Sequence, residues 1–450
     1  MRRLPILLVC LIMAFPLFAG GNQDSKGSGI SDDERNAVSA DGIAWKKYSG
    51  TTLHLGMNKH IYTTTIRSVI NEFEQKTGIR IIIDEYAQDE FMTKRLVDLS
   101  SGAGTFDIVM MDSICTQAAL AGWIENLEPW FNRRDLVDKA AYNVNDISPS
   151  FKQAFTVNGS LYAIPVSGEK QILFYRKDVF QQKGLKVPAT FDELYETAKL
   201  LKQEYPAGIL LRGQKIHTVS NCTGVIWSYG GKIADDPTQY NRAVFNSPEG
   251  IRGADMYTTL AREFGPPGIG NYTWYECVSD FQQGKAAMYL DMSVFMSQFE
   301  DPSSSQVAGK VGYAPMPAGP AGSKPTGGAW AVSMSTASKH KDAAFLFLSW
   351  ITGPEVSKQL ALEGGIAARG SFLNDPELVN KYPADWLAAY QHGLAAEVPE
   401  TTFPIISKNE EYLDTIGTAF NSLILRKRDV KPVLDDAAAK VTILFQESKQ

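Results

Sequence analysis

Residues 52–57, Thr-Leu-His-Leu-Gly-Met, read as a short strand, and the stretch from there to Asp112 decides the fold. Between Thr65 and Thr77 the apolar residues Ile66, Val69, Ile70 and Phe73 recur at helical spacing, and Gly78 follows as a stop. Ile79 to Tyr86 is an apolar, β-branched strand. Phe91 to Leu99 is helical again, and Ser101-Gly102-Ala103-Gly104 turns the chain into a third strand, Phe106 to Met111. The β-α-β-α-β order calls for right-handed crossovers and a mostly parallel sheet covered on both faces. Ligands of such sheets bind beyond the carboxyl ends of the strands. Those ends carry Asn58-Lys59-His60, Tyr86-Ala87-Gln88 and Asp112-Ser113, which makes Asn58, Lys59 and Asp112 candidate contacts.

A second α/β region begins near Leu161. Gln171 to Arg176 and Gly208 to Arg212 read as strands, with a helix from Phe191 to Gln203 between them. Phe281 to Asp291 reads as a helix end followed by a strand, and Asp342 to Trp350 as an apolar helix. Glu411 to Gln446 is mostly helical, and Tyr313 to Gly328 is a Pro/Gly-rich loop able to cross between domains. No internal repeat is visible.

Upstream, Arg2 and Arg3 precede the apolar run Leu4 to Phe18 and then Ala19-Gly20-Gly21, the order of a cleavable export signal. The run is short for a membrane span and is interrupted by Pro5 and Pro16. Cys10 lies inside it, so no cysteine stands where a lipid anchor would need one. Residues 22–42 are polar and read as a flexible tether. Downstream of the leader, Cys115, Cys222 and Cys277 are an odd set. Three buried, inert thiols are expected, with a Cys222–Cys277 bridge as the alternative.

The chain has 450 residues, enough for two or three domains, with 44% hydrophobic and 21% charged residues. Net charge is −6, and −8 once Arg2 and Arg3 leave with the leader. That balance lacks the electrostatic footprint of a nucleic-acid binder. No Gly-x-Ser-x-Gly elbow, His-Glu-x-x-His helix, Walker loop or Gly-x-Gly-x-x-Gly appears. The five histidines (His54, His60, His217, His340, His392) are scattered and none pairs with a cysteine at metal-ligand spacing, so neither metal nor cofactor is expected. What does recur is tryptophan beside glycine or other turn-forming residues: Trp227 in Gly224–Gly231, Trp274 in Asn271–Glu276, and Trp330 after Gly327-Gly328-Ala329. Such rings offer flat faces to the C–H surface of a sugar or polyol, while Asp, Glu, Asn, Arg and Lys take its hydroxyls.

Four blocks resemble the bacterial extracellular solute-binding proteins of the maltose-binding-protein-like group, which feed ABC importers. They are Phe73-Glu74-Gln75-Lys76-Thr77-Gly78-Ile79 leading to Phe106-Asp107-Ile108-Val109; Asn158–Pro165 continuing to Leu173–Asp178; Phe281–Met288; and Gly327–Val332 with Ser338–Ala344. Their order and spacing match over nearly the whole chain after the leader. Gly265 to Trp274 further resembles a branch that handles sugars and sugar alcohols.

The resemblance implies an α/β, two-lobed periplasmic-binding-protein fold of the class II type. Each lobe is a mostly parallel sheet flanked by helices, and a multi-crossing hinge joins them. Crossings fall near 163–167, 323–328 and 382–393. Lobe one then comprises 43–163 plus 327–385, and lobe two 164–326 plus 386–450. The implied protein is a non-enzymatic, periplasmic monomer that hands a sugar or polyol to the permease subunits of an ABC transporter. A secreted two-domain glycan hydrolase and a binder of a charged solute such as a polyamine are the alternatives. Matching by position adds Glu169, Arg212, Asp291, Gly328 and Arg369 to the candidate contacts, with Trp330 the foremost stacking residue. Met292-Ser293-Val294 lacks the tryptophan that the group often has just after the strand.

Overall fold

The computed structural model describes residues 31–365 and 368–449, so the export-signal reading lies outside the described residues. Among the described residues nine strands form: β1 Thr52–Asn58, β2 Arg80–Tyr86, β3 Ile108–Met111, β4 Thr156–Val157, β5 Ser160–Leu161, β6 Ile164–Arg176, β7 Met288–Met292, β8 Val311–Pro315 and β9 Gly327–Met334. β4 and β5 make a small hairpin. The rest join in the order β2-β1-β3-β9-β6-β7, with β8 also on β6.

The parallel part is β2-β1-β3, as the opening stretch requires. Its first crossover helix, Arg67–Thr77, buries Val69 and Phe73 and ends at Gly78, whose φ of 72° is the left-handed cap that glycine adopts without strain. β9 runs antiparallel to both β3 and β6, and β6 antiparallel to β7 and β8. Of these, β6 and β9 carry the chain between the two halves, while β7 and β8 stay beside β6 in the second half and make its sheet antiparallel there, not mostly parallel as expected.

One strand carries most of that passage. β6 pairs with β9 from Ile164 to Lys170, then with β7 and β8 from Gln171 to Arg176, with a register shift between Pro165 and Ser167. Two halves therefore share a continuous backbone ladder but pack around separate cores. One core is built on Leu53, Leu55, Phe73, Ile108, Met110 and Phe345. The opposite half holds a core around Leu173, Leu211, Tyr257 and Phe420, and a third cluster around Phe174, Tyr289 and Trp386. A further passage follows helix Pro376–Lys381: the Tyr382 hydroxyl bonds the carbonyls of Ala361 and Gly365 on one side. Helix Ala384–Ala395 then sits on the other side, where the Trp386 indole donates to Ser293 O and the Tyr390 hydroxyl to Gly168 O.

Three local expectations change. Gly208–Arg212 is not a continuous strand: single parallel bridges join Ala207 to Ala286 and Leu210 to Tyr289 of β7, and between them the Gly208 N–H is taken by the Phe264 carbonyl at 2.8 Å. Tyr313–Pro315 and Gly327–Gly328 belong to β8 and β9, leaving a shorter loop between them. Within the proposed tether, Ser31 and Glu34 form a capping box at a single helical turn, Asp32–Asn36, and the Asp41 carboxylate accepts from Ile43 N and the Trp45 indole.

Cys115, Cys222 and Cys277 are buried and unbridged, and burial raises all three thiol pKa values. Native protein should therefore leave these three thiols unreacted with a thiolate-specific reagent such as DTNB. All three should titrate after denaturation without reductant; a deficit of two would reveal a bridge.

Candidate functional site

A cavity of about 470 Å³ opens between the two halves. Seven of the candidate residues line it: Asp112, Glu169, Arg212, Trp227, Trp274, Gly328 and Trp330. The other four do not. Asn58 is fully buried at the end of β1. Lys59 is exposed, Asp291 lies wholly beneath the floor, and Arg369 borders a separate small cavity.

The hinge strands set the floor. Opposite residues of an antiparallel pair share a face, so Ser167 with Trp330 and Glu169 with Gly328 project together. Trp330 is half-buried and lies 5.7 Å, ring to ring, from His60 at a tilt of 47°. His60 caps the short helix Ile61–Thr65, its Nδ1 accepting from Tyr62 N at 3.2 Å. That bond leaves the proton on Nε2, which sits 3.4 Å from Glu169 Oε1.

Two of the charged groups in the cavity, Asp112 and Arg212, are held in ion pairs. Arg95, fully buried on helix Gln88–Ser101, donates to the Met110 carbonyl at 3.0 Å and to Asp112 Oδ1 at 2.9 Å. On the facing half, Arg212 gives Nε and Nη2 to the two oxygens of Asp291, at 2.8 and 2.6 Å. The Tyr289 hydroxyl and Met292 N also donate to that carboxylate. Burial opposes the Arg212 charge, yet the Asp291 carboxylate more than offsets this and keeps the guanidinium protonated. Asp291 thus orients Arg212 and leaves its Nη1 edge without a hydrogen-bond acceptor among the described residues.

Lys170 points to the other face of β6, stacked over Gly327 and 5.9 Å from the Phe151 ring. It is 6% exposed, has no ion-pair partner among the described residues, and burial lowers its pKa to about 8. Glu410 approaches from helix Asn409–Leu425; burial first, then the nearby Asp112 charge, pushes its carboxyl up to about 7.

The tryptophans take three different roles. Trp330 presents a half-buried ring to the cavity. Trp227 is not in a loop but in helix Lys215–Ser228, 2% exposed, with its indole N–H on Glu400 Oε1 at 2.9 Å. The run Gly224–Ser228 stays helical because its neighbours are buried on all sides, which overrides the helix-weakening glycine. Trp274 opens helix Trp274–Gln282, stacks on Tyr275 and Phe295, and donates to Gln88 Oε1 at 2.6 Å. Arg369 is held by the carbonyls of Thr352 and Asn143, with Asp146 at 3.5 Å, a network that ties loops within one half.

Residue-type reasoning missed His60, Gln88, His217 and Phe295, which also line the cavity. His60 and Gln88 stood in the quoted strand-end loops. The others carry no local signal, since helix faces meet the cavity only through packing. Among the described residues no group of three or more His, Cys, Asp or Glu could hold a metal ion. Nor, among them, is any helix long and apolar enough to cross a membrane.

Two α/β halves on a shared hinge strand, with a polar and aromatic cavity between them, define a two-lobed binding protein. The chain belongs to the bacterial extracellular solute-binding protein family, whose model matches residues 59–358. It is 29% identical over 371 residues to the erythritol/L-threitol-binding protein of Mycolicibacterium smegmatis, covering 78% of this chain and 76% of that one. It is 32% identical over 298 residues to the mannitol-binding protein of Pseudomonas aeruginosa, covering 62% and 64%. A solute-binding protein of an ABC transporter from Agrobacterium radiobacter K84, solved with ribitol, superposes with a TM-score of 0.78 at 30% identity, covering 88% of this chain and 99% of that chain.

Proposed function

We propose that this protein captures a sugar alcohol or small sugar in the interlobe cavity and delivers it, unaltered, to the permease subunits of an ABC importer. The observation that carries the reading is the pairing of charge around the cavity. Arg212 is neutralised by Asp291, Asp112 by Arg95, and Glu169 lies against His60. Lys170 has no ion-pair partner among the described residues, and burial lowers its pKa to about 8. Such a lining offers directed donors and acceptors with little net charge, beside the Trp330 ring, and this suits a neutral polyhydroxylated solute. The relatives that bind erythritol, threitol, mannitol and ribitol support the same class.

In this reading Asp112, Glu169, Arg212 and Trp330 contact the solute, and Gly328 keeps the floor open beside Glu169. Lobe one comprises 43–163 plus 327–385, and lobe two 164–326 plus 386–450. The protein works as a monomer outside the cytoplasm, taken there by the leader at residues 1–21. A thermal-shift screen over polyols, sugars, amino acids and polyamines tests the solute class. A polyol or sugar at about 100 times its dissociation constant should add about 2.7 kcal/mol of stability. Stabilisation by polyamines or amino acids alone would overturn the assignment.

A further inference from the structure

Side chains from the two lobes meet directly at one side of the cavity. Helix Gln88–Ser101, on the β1–β3 half, begins with Gln88 and Asp89. From the other half the Trp274 indole N–H reaches Gln88 Oε1 at 2.6 Å, and His217 Nε2 lies 3.1 Å from Asp89 Oδ1. The Tyr275 hydroxyl also donates to the Lys59 carbonyl at 3.1 Å. Gln88, His217 and Trp274 line the cavity, whereas the Asp89 side chain is 61% exposed, so these contacts stand where the cavity meets solvent.

The lobe-two partners are also held by their own half. A capping box of Thr273 and Glu276 starts the helix that carries Trp274. The Trp274 ring is sandwiched against Tyr275 and Phe295, with centroids 3.6 and 5.4 Å away, so its N–H has a set direction. The His217 side chain is 2% exposed within helix Lys215–Ser228. Its bond holds the Asp89 carboxyl below the usual carboxylate range. All of these are protein-to-protein contacts, so they favour the closed arrangement whatever solute fills the cavity.

We propose that Gln88 and Asp89 form a latch on Trp274 and His217 that biases the two lobes toward closure and slows solute release. The latch itself rests on the two-lobed fold; its kinetic readout rests on the solute reading above. The differential contacts exist only when the lobes are together, which is the condition for shifting an open–closed equilibrium.

The test compares the native protein with Gln88→Ala/Asp89→Ala, and with Glu90→Ala as a control from the same helical turn that makes no contact across the cavity. Small-angle scattering of the unliganded proteins should give a larger radius of gyration for the double variant and an unchanged one for the control. With mannitol as the probe, stopped-flow tryptophan fluorescence should show release roughly tenfold faster, the combined effect of two modest hydrogen bonds. Association should change by much less. His217→Ala should open the unliganded protein in part, and His217→Gln, which keeps a donor for Asp89, should restore compactness. Equal radii for the native and double-variant proteins, or equal release rates, would overturn the latch. Absence of any mannitol binding would count against the solute reading and leave the scattering comparison to decide the latch.

Discussion

Asp291→Ala should cost about 3–5 kcal/mol of folding stability, although Asp291 does not line the cavity. The cause is the charge it leaves behind. Its side chain is fully buried and takes two bonds from Arg212, one from the Tyr289 hydroxyl and one from Met292 N. Without it a guanidinium only 10% exposed loses its hydrogen-bonded counter-charge, and Tyr289 keeps a buried hydroxyl without that acceptor. Urea unfolding followed by circular dichroism measures the effect. A loss below about 1 kcal/mol would mean that water reaches Arg212 and that the pair is not truly desolvated. Arg212→Met combined with Asp291→Leu should recover most of the loss, because no charge then needs compensation. That same double variant should still lose solute affinity, which separates the structural part of the pair from the part facing the cavity.

Trp330→Ala is expected to have the largest effect on binding, a 10- to 100-fold rise in the dissociation constant for mannitol or ribitol. Trp330 is held by the β6–β9 register opposite Ser167, whose Oγ accepts from Trp330 N at 3.3 Å, so backbone and not side chain fixes its place. The ring is half-buried, so its removal opens contact area to solute more than it hollows a core. Stability should therefore fall by no more than about 1–2 kcal/mol. Trp330→Phe should retain much of the affinity. Isothermal calorimetry decides the matter, and unchanged affinity in Trp330→Ala would remove this ring from the site.

Much of this architecture can be read in the chain because local rules govern it. The apolar strands after Thr52, Ile79 and Phe106, the helix with Phe73 on its inner face, and Gly78 as its stop all depend on neighbours within a few turns. Asp112 and Trp330 were legible for a related reason: each sits at a strand end or on a hinge strand, where an α/β sheet exposes its ligand face. Asn58 shows the limit. It stands at the end of β1 like a contact residue, on the strand face it shares with the partly exposed Thr52 and His54, yet packing over the strand end buries it completely. Arg369 shows another: the chain around it reads as a loop, and only packing against Thr352 and Tyr142 reveals a structural tie.

By itself the sequence determined the order of strands and helices, the two-lobed family fold and the class of groups available to a solute. Periodicity encodes the elements and composition the groups, both short-range properties, whereas the two-lobed fold was legible only as the resemblance carried by four blocks of residues. Tertiary structure alone decided which groups meet: that Asp291 lies under Arg212, 79 positions away, and that Gln88 reaches Trp274, 186 positions away. The first pair arises from packing within one half and the second from packing between the two halves, and hydrogen bonds of about 3 Å depend on packing that no run of neighbouring residues specifies.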